Sequence, residues 1–308
     1  MNQDVYHIPA LLPQVISGLD IRQDGVYADL TYGGGGHSRA ILAELGPEGR
    51  LLAFDQDIEA IERAKPDPRL TMVHGNFRYM ENFMRFYGVM PGQVNGILAD
   101  LGVSFHHFDD PARGFSFRWD GPLDMRMNQK GGRTAAQILV EESEERLADI
   151  FYLYGELKTA RRIAAAIVKA RGAEPIATVE RLLAVVKPMI NPKQEKKELA
   201  QVFQALRIEA NGELDSLKSM LKQAQDMLAP EGRLAIITYH SLEDRLVKNF
   251  MKTGNFEGKE DKDFFGKVSS PFRLLTNKPI VPDDEEIALN PRSRSAKLRI
   301  AIKKETEK

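Results

Sequence analysis

The stretch Gly25-Val-Tyr-Ala-Asp-Leu-Thr-Tyr-Gly-Gly-Gly-Gly-His-Ser-Arg39 decides how this chain is read. Gly25 to Leu30 has the apolar character of a short buried strand, and Ser38 to Leu45 that of a helix. Between them lie four consecutive glycines, Gly33 to Gly36. Without Cβ atoms, such a loop lets a ligand approach the backbone closely. It also aims free N–H groups and the positive end of the following helix at that ligand. A strand, glycine loop and helix in succession predict a nucleotide-like cofactor site at the carboxyl end of a first sheet strand. The plainer alternative is a flexible turn.

Three cofactor classes compete for the loop. A phosphate-cradling loop needs Lys followed by Ser or Thr at the helix start, but His37 and Ser38 stand there. A dinucleotide fingerprint needs G-x-G-x-x-G, and the third glycine would fall on Ser38 or Arg39. S-adenosylmethionine has no pyrophosphate and asks instead for an acidic residue ending the next strand, to accept from its ribose hydroxyls. Arg50-Leu-Leu-Ala-Phe-Asp55 supplies one, about 20 residues past the loop. Asp57 lies beyond the strand end, so Asp55 is preferred.

The 308 residues suffice for one large or two ordinary domains. With 43% hydrophobic and 28% charged residues the chain is expected to fold. It has no cysteine, which excludes disulfides and thiolate metal sites and fits a reducing cytoplasm. Met1 to Leu12 does not read as a secretory signal, and no apolar run approaches the ~18 residues of a membrane helix. A net charge of −1 means that any RNA contact must come from local basic patches.

Strand and helix patterns alternate through the first hundred residues. Strands are predicted at 25–30, 50–55, 70–74 and 94–100, and helices at 38–45, 58–65 and 79–86, which argues for a parallel sheet covered by helices. Asp29, Asp55 and Asp100 would then share the ligand-binding rim. From Asp109 to Asn211 the pattern is helical only, with starts at Ser143, Thr159 and Thr178. A strand–helix crossover does not need a hundred residues, so this block is expected to be inserted. The sheet pattern resumes with an amphipathic helix at 213–228, a turn at Pro230-Glu-Gly232 and a strand at 233–240. The period-two run 296–303 reads as a half-buried antiparallel edge strand.

Six strings then occur in register: Tyr32-Gly-Gly-Gly-Gly-His-Ser38, Asp100-Leu-Gly-Val-Ser104, Arg113-Gly-Phe-Ser-Phe117, Gly121-Pro-Leu-Asp-Met-Arg-Met127, Tyr239-His-Ser-Leu-Glu-Asp-Arg245 and Asn290-Pro-Arg-Ser-Arg-Ser295. Together they resemble the bacterial 16S ribosomal RNA cytosine-N4 methyltransferase family over nearly the whole chain. The resemblance implies an α/β fold: a class I methyltransferase (Rossmann-like) sheet, mostly parallel with an antiparallel edge strand, plus an inserted all-helical domain. The S-adenosylmethionine-binding domain would comprise residues 1–108 and 212–308, and 109–211 would form the inserted RNA-substrate domain. It also implies methyl transfer to the exocyclic N4 amine of a cytosine in the decoding region, with 16S rRNA of the small ribosomal subunit as partner, in the cytoplasm. The sequence leaves the oligomeric state open, a homodimer among the options. Carried over by position, the cofactor contacts are Gly35, Gly36, His37, Asp55, Phe77, Asp100 and His107. The last departs from the pattern: the family usually reads Ser-Ser-Pro-Gln where this chain has Ser104-Phe-His-His107.

Cytosine N4 is a poor nucleophile because its lone pair is delocalised into the ring, and a hydrogen-bond acceptor at the amine would help localise it. Asp100 is the candidate catalytic residue, against a role in cofactor contact alone. His240 is expected to cap the helix that follows. A metal at His106, His107, Asp109 and Asp110 is rejected, since adjacent side chains of extended backbone diverge and methyl transfer needs none. Phe105, Phe108, Phe115, Phe117 and Trp119 around Arg113, Arg118 and Arg126 suggest a platform for stacking an exposed base, with a small core as the alternative. Arg161, Arg162, Lys169 and Arg171, and Arg292, Arg294, Lys297 and Arg299, are candidate phosphate contacts.

Overall fold

The computed structural model describes residues 8–102, 108, 110–261 and 270–305. The chain divides into two compact units, Met1–Gly102 with Leu214–Lys308, and Val103–Glu213.

The first unit is built on seven strands: β1 Val26–Asp29, β2 Arg50–Asp55, β3 Leu70–His74, β4 Val94–Asp100, β5 Leu228–Thr238, β6 Phe272–Leu274 and β7 Lys297–Lys303, in the spatial order β3-β2-β1-β4-β5-β7-β6. β1 to β5 pair in parallel, and β7 runs antiparallel to both β5 and β6. The chain moves outward from β1 through β2 to β3, then returns to place β4 on the other side of β1. That reversal opens a crevice outside the carboxyl ends of β1 and β4, where doubly wound sheets bind ligands.

Helices α2 Gly36–Glu44, α3 Ile58–Glu62 and α4 Met80–Phe86 connect the strands of this half of the sheet, and α1 Leu12–Leu19 packs against β4 and β5. The central strands read as unbroken apolar runs because both faces are covered. On β1, Tyr27 enters one core with Leu51, Leu98, Ile41 and Leu19, while Ala28 enters the other with Leu52, Phe54, Ile97 and Met84. Each fully buried side chain of this size contributes about 1.5–3 kcal/mol.

The sheet is mostly parallel with an antiparallel edge, as its pattern predicts. Its outermost strand, however, is the three-residue β6, which no periodicity announced. β7 is therefore flanked on both sides and buried from Leu298 to Ile302, not half-buried as the alternation suggested. Pro230-Glu-Gly232 is not a free turn. It lies within β5 as an irregularity where pairing with β4 slips and Glu231 takes φ +60°. Helix α1 also escaped the sequence reading. It starts after Leu11, a buried residue at φ +54° whose N–H donates to Glu286 Oε1 at 2.8 Å, so a contact 275 residues away sets its start.

The second unit contains α5 Ala135–Glu141, α6 Glu144–Leu153, α7 Ala160–Arg171, α8 Val179–Val186 and α9 Glu195–Asn211. Its own core holds Ile138, Leu147, Phe151, Ile163, Leu182 and Leu206. Ser143 and Thr178 cap α6 and α8, each accepting from the main-chain N–H three residues on. Thr159 occupies the cap position of α7 without making that bond. Among the described residues of this unit the only extended pairing is a single bridge, Pro122 with Thr178. The remaining helices, α10 Glu213–Met227, α11 Ser241–Thr253 and α12 Asp284–Leu289, lead back into the sheet or pack beside its antiparallel end. No described helix is long and apolar enough to cross a membrane.

Candidate active site

Gly35 ends the glycine loop at φ +70°, a left-handed conformation that L side chains rarely adopt, and a Cβ there would lie 2.5 Å from the Tyr32 hydroxyl oxygen. Gly36 and His37 open α2, whose start has no side-chain cap, so its first-turn N–H groups are left for an outside acceptor. Gly36 is bare for a reason internal to the protein: a Cβ would meet Pro9 Cγ at 2.8 Å. His37 is buried, with Nε2 3.0 Å from the Ala10 carbonyl. The Pro9–Leu11 segment thus braces one side of the loop. Gly33 is different: at φ +52°, its nearest foreign atom to a Cβ is the Thr31 carbonyl at 4.0 Å.

The acidic residues end the strands as expected. Asp55, last in β2, accepts from the Gly33 N–H at 2.8 Å through Oδ2 and from the Asp57 N–H at 2.9 Å through Oδ1. Burial raises its pKa above the ordinary aspartate value, opposed by these two N–H donors. Each oxygen keeps a second lone pair, so a diol could still be held there. Asp57 instead caps α3, accepting from the Glu59 N–H at 3.0 Å. Phe77 follows β3 at the start of a 3₁₀ turn capped by Asn76. Asn76 Nδ2 donates to Gln56 Oε1 at 2.9 Å, joining the segment after β3 to the segment after β2. Phe77 and Asp55 therefore belong to one rim.

Asp29 and Asp100 are tied through Thr31. Asp29 is completely buried and accepts from Ser38 Oγ at 2.6 Å and the Thr31 N–H at 3.1 Å. Burial pushes its pKa up. The Thr31 hydroxyl accepts from the Asp100 N–H at 2.7 Å and lies 3.5 Å from Asp29 Oδ1. His37 Nδ1 lies 3.9 Å from Asp100 Oδ2, beyond hydrogen-bond reach. Tyr239, after β5, sets its phenol against the Asp100 carboxylate. Burial, and then the negative charge of Asp100, raise the tyrosine pKa well above its usual value, so the phenol stays protonated. The Tyr239 ring also sits where a Cβ on Gly102 would be, 2.9 Å from Cε2.

Sequence reasoning placed Gly35, Gly36, His37, Asp55, Phe77 and Asp100, and the structure puts them all at the carboxyl end of the β1–β4 half of the sheet. It missed Thr31, Ser38 and Tyr239 as the side chains that hold the acids. A serine in the first helical turn after a buried strand-terminal aspartate was the available signal. His107 lies outside the described residues, as do His106, Asp109 and Phe105. His240 caps α11, its Nδ1 3.5 Å from the Glu243 N–H.

The stacking platform is corrected. Phe115 is buried, Phe108 and Phe117 pack against the helical unit's core, and Phe117 meets Phe203 edge-on at 5.6 Å. Arg113 is buried and donates to the Arg126 and Met127 carbonyls at 2.8 and 3.1 Å, while Arg126 forks onto Asp124. An aromatic run so close to its own domain's apolar helices is claimed by their core. Trp119, at 57% exposure, remains outside it. Two phosphate candidates fall the same way: Arg171 donates to the Leu139 and Glu142 carbonyls, and Arg299 is buried on Asp244.

Residues 4–304 match the description of the MraW methylase family. A ribosomal RNA small subunit methyltransferase H of Parabacteroides distasonis is 62% identical over 298 residues, covering 97% of each chain. The protein of that name from Bacteroides fragilis is 59% identical, covering 98% of this chain and 99% of its own, and that from Flavobacterium johnsoniae is 53% identical, covering 97% and 98%. Identity at this level, sustained through both the sheet and the helical unit, leaves one assignment: the chain belongs to the MraW methylase family.

Proposed function

We infer that this chain transfers a methyl group from S-adenosylmethionine to the exocyclic N4 amine of a cytosine in 16S ribosomal RNA, within the decoding region of the small subunit. It is a methyltransferase with an RNA substrate. The observation that carries the geometric side of the reading is the rim itself: a glycine loop open at Gly33, an uncapped α2, and two carboxylates, Asp55 and Asp100, ending strands on either side of β1.

The residues fit the cofactor. Asp55 would accept from the ribose hydroxyls, Phe77 would line the adenine side, and the backbone of Gly35, Gly36 and His37 would face the remainder, with His107 as a further contact. When bound, the cofactor supplies a methyl group on a positively charged sulfur, already electrophilic, so the chain needs mainly to orient a nucleophile and exclude water. Asp100 would accept a hydrogen bond from the N4 amine and thereby hold the base and concentrate its lone pair. Tyr239 and the Thr31 hydroxyl fix Asp100 from its side chain and its backbone. The helical unit, residues 109–211 in this reading, would hold the RNA, and a cytoplasmic location follows from a ribosomal substrate.

Incubation with labelled S-adenosylmethionine and undermodified small subunits, followed by nucleotide mapping, tests this. Label on a single cytosine N4 of the decoding region is expected. Label elsewhere, or none, refutes it.

A further inference from the structure

Two groups of cations in the helical unit contrast with each other. Arg113, Arg126, Arg133, Arg146, Arg171 and Arg207 each hold a carboxylate or a main-chain carbonyl of the same unit. They are spent on the fold. Arg161, Arg162 and Lys169 of α7, with Lys158 just before it, are exposed, and no ion pair or hydrogen bond joins them to another described residue.

Their arrangement is regular. Within α7, positions 162, 165 and 169 recur every three or four residues, so they share one face, with Arg161 beside it, while Lys158 lies in the turn that precedes the helix. Ala165 is also exposed and leaves room between the long side chains. The opposite face, Ala160, Ile163, Ala164 and Ile167, is buried in the unit's core and fixes the helix in place. α7 has four basic residues and no acidic one, whereas every other charged helix among the described residues includes at least one acid. The exposed Lys196 and Lys197 at the start of α9 are flanked by Glu195 and Glu198, so that stretch carries no net charge. Helix physics disfavours what α7 does: cations in a first turn oppose the helix dipole, and neighbouring like charges repel. Stability alone does not place them there.

From Arg162 to Lys169 is seven residues, or about 10 Å along the helix axis. That spans roughly three nucleotides of a stacked strand at ~3.4 Å each. Helix α6, which precedes α7 in the chain, ends on Tyr152 at 63% exposure and Leu153 at 50%. Exposed aromatic surface suits unpaired bases, as guanidinium groups suit phosphates.

We propose that the exposed face of α7, Arg161, Arg162 and Lys169, with Lys158 in the turn before it, is a docking surface for the phosphate backbone of the RNA substrate. This rests on the functional reading above and assigns its RNA contact to one face of one helix.

The test uses the full chain carrying Arg161→Gln, Arg162→Gln and Lys169→Gln. Binding to protein-free 16S rRNA and to intact undermodified small subunits is measured as a function of salt. Each phosphate neutralised on a single strand contributes about 0.7 to the slope of log K against log salt, so the triple variant should lower that slope by about 2. S-adenosylhomocysteine affinity should not change. A second variant, Arg161→Lys with Arg162→Lys, keeps the charge and should keep the slope, which separates charge from folding damage. An unchanged slope on both probes overturns the proposal. A change on intact subunits alone also overturns it, because the partner would then be a ribosomal protein. A parent chain that binds neither probe refutes the functional reading itself, whereas an active parent with a silent triple variant refutes only the α7 surface.

Discussion

Replacing Asp55 by Asn asks whether the β2 carboxylate holds a ribose or merely the loop. In the free protein its two oxygens already face two donors, the Gly33 N–H at 2.8 Å and the Asp57 N–H at 2.9 Å. An amide offers one oxygen and one NH₂, so whichever way it turns, one of these N–H groups faces another donor. An unsatisfied buried donor costs about 1–3 kcal/mol. Asp55 is partly exposed, so the stability loss should sit at the lower end, about 1 kcal/mol. Cofactor binding should suffer more. One of the two ribose hydroxyls loses a charged acceptor, a loss of about 1.5–3 kcal/mol, or roughly 10- to 150-fold in Kd at 1.4 kcal/mol per decade. Calorimetric titration with S-adenosylhomocysteine measures that, and denaturant unfolding measures the stability term separately. Asp57→Ala is the control: it removes the α3 cap, costs about 1 kcal/mol, and should leave Kd unchanged. Acidification of the parent protein should mimic Asp55→Asn. Burial raises the Asp55 pKa, and protonation removes the charged acceptor, so affinity should begin to fall at a pH above the usual aspartate range. An Asp55→Asn protein that unfolds more easily yet binds within threefold of the parent would refute the ribose assignment and leave Asp55 as a loop brace.

Ser38→Ala should destabilise the sheet unit by about 1.5–3 kcal/mol at neutral pH, because it strips a hydrogen bond from a fully buried carboxylate. The folded pKa of Asp29 is raised, so the stability linked to its proton is complete below the unfolded value of ~3.9 and is lost as pH rises through the folded value. The Ser38→Ala deficit should therefore shrink on acidification; urea midpoints at several pH values check this, and a pH-independent deficit would contradict it. Gly36→Ala drives a Cβ to 2.8 Å from Pro9 and should cost about 1–3 kcal/mol by overpacking, read as a lower denaturation midpoint. Tyr239→Phe keeps the ring and removes only the phenol that holds Asp100, so kcat should fall about 10-fold or more with little change in stability. Single-turnover methylation at saturating cofactor measures it, and a kcat within twofold of the parent would show that Asp100 needs no such support.

Much of the sheet could be read because its central strands are buried on both faces. β2, β3 and β4 occupy the predicted residues, since an apolar run bounded by turn residues has few other stable placements. Asp55 and Asp100 were legible for a related reason, since each ends such a run and stays partly accessible at the rim, whereas Asp29 at the end of β1 is fully buried on Ser38 and Thr31. What escaped was set by distant contacts. α1 depends on a Leu11 conformation held by Glu286, and β6 exists only because β7 offers it an edge. Phe115 and Phe117 look like a base platform in isolation and become core only in the folded helical unit, where α9 sets Phe203 against Phe117 and Phe108 meets Phe115. Arg171 and Arg161 are indistinguishable by composition; only the α5 carbonyls reachable from Arg171 separate them.

Gly33 and Gly36, the two ends of the glycine run, have different causes, and the difference bears on where the ligand can lie. Gly36 is bare because Pro9 presses on it, and the Pro9 segment is held there from several directions: Leu11 N–H on Glu286, the Ile8 carbonyl on Asn290 Nδ2, and the Ala10 carbonyl against His37 Nε2. That side of the loop is already filled by the chain itself. Gly33 has nothing within 4 Å of a would-be Cβ except one carbonyl at that limit, and its N–H points to Asp55. Of these two glycines, only Gly33 turns its bare side to open space, and it does so beside the carboxylate assigned to the sugar. In the proposed reading, a cofactor seated on this loop would approach from the Gly33–Asp55 side, while the Pro9–Gly36 contact would keep the helix start from yielding to it. The glycine run thus combines a packing demand on one flank with a binding demand on the other, and a substitution that respects only one of them should separate stability from affinity.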